Sequence, residues 1–102
     1  VSNCQDGYIE TFLEHHKMQP FFDDYECPGR SGMLKAENIK LVMERNRIEK
    51  AVYVGDTQGD ADACTKAGVP FIWARYGFGD VKDAQYVIDS LAELPDVVRE
   101  VL

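Results

Sequence analysis

Apolar and polar residues alternate along this chain in two different periods, and the switches between them predict its elements. The run Ala51-Val52-Tyr53-Val54 closes on Gly55-Asp56 and predicts a buried strand over 51–55, with Gly55 allowing a sharp turn at its end. Ile9, Phe12, Leu13 and His16 recur at helical spacing after the capping-type residues Asn3 and Asp6, which predicts a first helix of about a dozen residues. The aromatic and acidic stretch 21–25 reads as a short edge strand, and Pro28-Gly29-Arg30-Ser31-Gly32 as a loop. Lys35 opens a second helix whose apolar positions Ile39, Val42 and Met43 share a face. Ala61, Cys64 and Ala67 form a small-residue helix face after the 51–55 strand, and Gly68 is placed to end that helix. Strands are expected at 70–74 and 86–88, joined by the Gly-punctuated loop Arg75-Tyr76-Gly77-Phe78-Gly79-Asp80. Ser90 and Glu93 resemble a capping box for a last helix with Val97, Val98 and Val101 facing inward. Strands alternating with helices imply an α/β fold: a parallel sheet with helices on its faces, in a three-layer Rossmann-like arrangement.

Strand ends carry the candidate chemistry. Ser2 and Asn3 read as following one strand, Lys35 begins a helix, and Asp56 and Asp60 follow the 51–55 strand. In a parallel sheet such positions fall at one edge, where open α/β sheets place their ligands. Two carboxylates there suit a hard divalent cation, Mg²⁺ foremost, with waters and a phosphate completing the octahedron. Ser2 can donate to a phosphate oxygen and Lys35 can offset its charge. The plainer reading of Asp60 is a residue that favours the N-terminal dipole of the helix it opens. Ser2 can likewise serve as a cap and Lys35 as a solvated first-turn lysine. His15 and His16 end a helix where the dipole favours them and are assigned no catalytic role. No residue is an evident nucleophile or general base.

Composition narrows the classes. The 102 residues suffice for one small domain, 1–102, with a modest core, and 45% hydrophobic residues is ordinary for a globular chain. A net charge of −7 argues against nucleic acid or an anionic membrane as partner, since both demand clustered Lys and Arg. No apolar run is long enough to span a bilayer and no signal-peptide pattern opens the chain. Cys4, Cys27 and Cys64 have neither zinc-type spacing nor an evident disulfide framework, so a reducing cytoplasm is expected. Val1-Ser2-Asn3 reads as the end of a strand whose body lies upstream, so the sequence is expected to begin partway through a domain.

The order Val-Ser-Asn, then Lys35-Ala36-Glu37-Asn38-Ile39, then Val54-Gly55-Asp56-Thr57-Gln58-Gly59-Asp60 resembles the second, third and fourth motifs of the haloacid dehalogenase-like hydrolases. Gly7-Tyr8-Ile9-Glu10 and Ala74-Arg75-Tyr76-Gly77-Phe78-Gly79 are similar to the phosphoglycolate-phosphatase-like branch. The resemblance implies a Mg²⁺-dependent phosphomonoester hydrolase that acts through a phospho-aspartate on a small phosphorylated metabolite such as phosphoglycolate. Ser2, with Asn3, would bind the transferring phosphoryl group, and Lys35 would neutralise nucleophile and phosphate. Asp56 would be the principal metal ligand and Asp60 the second acid that supports it. The family's first motif, Asp-x-Asp-x-Thr or Val, supplies the nucleophile and is absent from this sequence, as is a cap domain. Lys35 is also not followed by the proline common in relatives.

Those absences shape the expectation for this chain: the C-terminal part of such a core domain, inactive alone. The alternative is a non-catalytic metal- or anion-binding or interaction module of the same fold. A missing central strand would leave two sheet edges that invite homodimerisation or strand exchange. A receiver-like regulatory domain fits less well, because receivers place their acids near the start.

Overall fold

The computed structural model describes all of residues 1–102. The chain divides into two compact units, Val1–Ile48 and Glu49–Leu102.

The first unit is helical. Helix α1 (Tyr8–His15) is entered through Gly7, whose φ of 88° is left-handed, and neither Asn3 nor Asp6 caps it. The expected strand over 21–25 does not form. A 3-10 turn occupies Gln19–Phe21 with Pro20 in its first positions, and Phe22 then leaves it extended. The stretch beyond is held by side chains instead of a ladder: the Asp24 carboxylate takes the Tyr25 amide at 2.8 Å. Val1-Ser2-Asn3 is likewise not a strand, and the Ser2 amide makes one backbone bond to the Glu26 carbonyl at 3.2 Å. The expected 28–32 loop contains a helical turn, α2 (Pro28–Ser31), because Pro28 presets the first helical φ and Gly32, at φ 74°, ends it. Lys35 opens helix α3 (Lys35–Arg45), as its position in the sequence predicts. Leu13, Cys27, Ala36 and Ile39 supply this unit's buried apolar surface.

The second unit is α/β. Strands β1 (Tyr53–Gly55), β2 (Phe71–Ala74) and β3 (Tyr86–Ile88) form a parallel sheet in the order β1-β2-β3, with Tyr53 opposite Phe71 and Ile72 opposite Tyr86. Helix α4 (Gln58–Ala67) crosses from β1 to β2 and ends at Gly68, which has φ 74°. Ser90 and Glu93 form the capping box expected of them, around a 3-10 turn (Leu91–Glu93) that runs into α5 (Leu94–Val101). Ile72 and Ile88, both fully buried, and Ala74 make the core, with Leu94, Val97, Val98 and Val101 of α5 packed against it. Period-2 alternation explains why β2 presents Ile72 and Ala74 to that core while Phe71 and Trp73 point to the opposite side. This parallel βαβ unit is Rossmann-like. No helix is long and apolar enough to cross a membrane.

Candidate functional site

Asp56 stands directly after β1, at the carboxyl end of a parallel strand. Its position is fixed from two sides. Behind it, Thr57 caps α4: its side chain accepts from the Asp60 amide at 3.1 Å. The Asp60 carboxylate answers, with Oδ2 accepting from the Asp56 amide at 3.2 Å and the Thr57 amide at 3.3 Å. Asp60 is buried, and a buried carboxylate needs such donors to offset its lost hydration. The helix dipole adds to this, so the dipole reading of Asp60 is part of the observed geometry.

In front, the loop after β2 closes on the aspartate. The Phe78 amide donates to Asp56 Oδ2 at 2.9 Å. Two glycines make these approaches feasible. A Cβ on Gly55 would meet Asp60 Oδ2 at 2.5 Å, and one on Gly77 would overlap Asp56 Cβ. The sequence marks 75–80 as a Gly-punctuated loop, and its clasp on Asp56 becomes visible only in three dimensions. Asp56 itself is half-buried. No group of three His, Cys, Asp or Glu side chains forms a metal cage.

In the first unit, Ser2 is half-buried and Asn3 exposed. Ser2 lines a groove of about 270 Å³ with Tyr8, Phe12, Phe22 and Tyr25. Lys35 is half-buried at the first position of α3.

Asn38, one turn into α3, was not singled out by sequence reasoning. It is fully buried, accepts from the Ser31 hydroxyl at 2.5 Å and donates to the Met33 carbonyl at 3.2 Å. It thereby fastens the chain entering Lys35. The available signal was a polar residue amid Ala36 and Ile39 on the buried side of a helix.

An ion-pair network braces the same unit. Arg45 forks onto Asp24, with Nε at 2.7 Å from Oδ2 and Nη2 at 2.8 Å from Oδ1, while Nη1 reaches Glu26 Oε2 at 3.1 Å. The Arg45 hydrogen bonds hold the Asp24 carboxyl down at about 2. Burial pushes the Glu26 carboxyl up, but the Cys27 amide, Arg45 and Arg30 outweigh it, so its pKa is also lowered.

A family model described as haloacid dehalogenase-like hydrolase matches residues 1–74. The chain belongs to this hydrolase family. No curated protein and no solved structure gives a match.

Proposed function

We propose that this chain is part of a Mg²⁺-dependent phosphomonoester hydrolase of the haloacid dehalogenase-like type, working through a phospho-aspartate on a small phosphorylated metabolite. The phosphoglycolate-phosphatase-like branch is the one its local motifs favour. The observation that carries the reading is Asp56, set at the carboxyl end of a parallel strand and anchored at Oδ2 by the Phe78 amide. A carboxylate at this strand end offers a hard oxygen ligand of the kind a divalent cation takes. Mg²⁺ commonly needs only one or two carboxylates, with phosphate and water as its other ligands, so this donor set fits. When bound, Mg²⁺ would offset the charge on the phosphoryl oxygens.

In this reading Asp56 holds the metal, and Asp60 supports it by fixing the turn in which it sits. The Ser2 hydroxyl and Asn3 bind phosphate, and the Lys35 ammonium neutralises the phosphoryl group and its attacker. The nucleophilic aspartate is assigned to a segment of the parent protein outside residues 1–102, since no Asp-x-Asp-x-Thr or Val motif occurs within them. The chain alone is then expected to bind but not to turn over. Turnover of small phosphomonoesters by the parent, with and without Asp56→Asn, tests the assignment. A drop of more than about 100-fold in Mg²⁺-dependent rate is expected, and an unchanged rate removes Asp56 from the site. Coding sequence upstream of Val1 is the companion test, where an in-frame apolar strand ending in Asp-x-Asp is expected.

A second reading, a non-catalytic binding or interaction module, is favoured by β1 lying at one end of the sheet order. An edge strand offers unpaired main-chain groups to a second copy of the chain. A monomer in sizing experiments would count against it.

A further inference from the structure

Two of the cysteines sit on neighbouring segments of the first unit. The segment 2–6 runs alongside 26–29. The Ser2 amide bonds the Glu26 carbonyl at 3.2 Å, and a Cβ on Gly29 would overlap the Asp6 amide nitrogen and meet Gln5 Cα at 3.1 Å. Cys4 and Cys27 lie on these adjoining segments, and after burial the neighbouring Cys4 thiol is among the groups that push the Cys27 pKa up. No disulfide joins them. Cys27 is only 3% exposed, whereas Cys4 is half-buried and within reach of a small solute.

We propose that Cys4 and Cys27 form a reversible dithiol–disulfide site, oxidised by a peroxide, whose closure ties the Ser2-bearing segment to the turn that begins at Cys27. The asymmetry in exposure sets the order of events. Hydrogen peroxide reaches Cys4, transferring one oxygen to give a Cys4 sulfenic acid and releasing one water. The Cys27 sulfur then attacks the Cys4 sulfur. The S–S bond forms, the S–O bond breaks, and a second water leaves with the hydroxyl and the Cys27 proton. Two thiols have lost two electrons and peroxide has gained them. Burial raises the Cys27 pKa, which keeps that thiol protonated and unsuited to the first step. Exchange with a small thiol reverses the bond.

The consequence for phosphate binding rests on the proposed role of Ser2, but formation of the bond does not. The crosslink would fasten the backbone on which the Ser2 hydroxyl is carried. The experiment is therefore chemical. The full chain, native and reduced, is treated with hydrogen peroxide, alkylated and digested, and its peptides are weighed. A peptide pair joining Cys4 to Cys27, two hydrogens lighter than its sum and restored by dithiothreitol, is expected in the native chain and in Cys64→Ser. It should be absent from Cys4→Ser and Cys27→Ser. In concentrated urea the preference should vanish and pairs with Cys64 should appear. Overoxidised Cys4 without a crosslink, or Cys64 joined under native conditions, overturns the proposal. Because Cys27→Ser alters a buried position, Cys4→Ser carries the control should the other fail to fold.

Discussion

The backbone amide of Phe78 donates to the carboxylate of Asp56 across 22 residues of sequence, at 2.9 Å, and Gly77 lies close enough that it has no room for a side chain. The loop after β2 thus completes the aspartate's surroundings.

Gly77→Ala is expected to push Asp56 out of its position, because the new methyl would coincide with Asp56 Cβ. Overpacking of this kind costs about 1–3 kcal/mol. Urea denaturation should show that loss, and the amide resonance of Phe78 should shift as its hydrogen bond lengthens.

Asp60→Ala removes the acceptor shared by the Asp56 and Thr57 amides and opens the capping box of α4. A loss of about 1–2 kcal/mol is expected. Asp60→Asn keeps one carbonyl acceptor and should lose less. Equal losses in the two variants would show that charge, rather than the hydrogen bonds, fixes the turn.

Acid should destabilise the first unit through Asp24. Its carboxyl sits at about 2 in the folded chain, against 3.8 ordinarily. A depressed folded pKa gives stability that is complete above the ordinary value and is lost as pH falls from about 4 towards 2. Solvent screening of this partly exposed pair limits the effect to about 1 kcal/mol. Thermal melts between neutral pH and pH about 2 should show the loss, and Arg45→Met should flatten that dependence. The same variant leaves the buried Glu26 with only the Cys27 amide and Arg30, so its neutral-pH stability should drop as well, by about 1–3 kcal/mol.

Asn38→Ala leaves the Ser31 hydroxyl and the Met33 carbonyl without the partner that joins them. A cost of about 2–3 kcal/mol is expected. Hydrogen exchange at the start of α3 should quicken, since the chain entering Lys35 loses its fastening.

The second unit was the more legible in sequence. The strand leading to Asp56, the crossover helix closed by Gly68, and the Ser90–Glu93 box all follow from local periodicity and capping chemistry. Residues 21–25 misled because their aromatic content matches a strand, while Pro20 and the Asp24–Arg45 contact decide otherwise. Pro28-Gly29 carries turn chemistry that serves equally well to open a short helix. Around Asp56, the carboxylate itself was legible, but the Gly77–Phe78 clasp was not. No local pattern announces a contact between residues separated by a helix and a strand.

The turn from Asp56 to Asp60 is closed by hydrogen bonds within five consecutive residues, whereas the Phe78 bond requires β2 to be seated beside β1. Short loops close with little loss of chain entropy and distant ones with more. The aspartate's surroundings therefore have two levels of persistence. The helix-side half should survive local opening of the sheet, while the loop-side half opens and closes with it. Amide exchange should accordingly be faster at Phe78 than at Asp60. A ligand resting on Asp56 would register the docking of β2 as a change in how firmly that carboxylate is aimed.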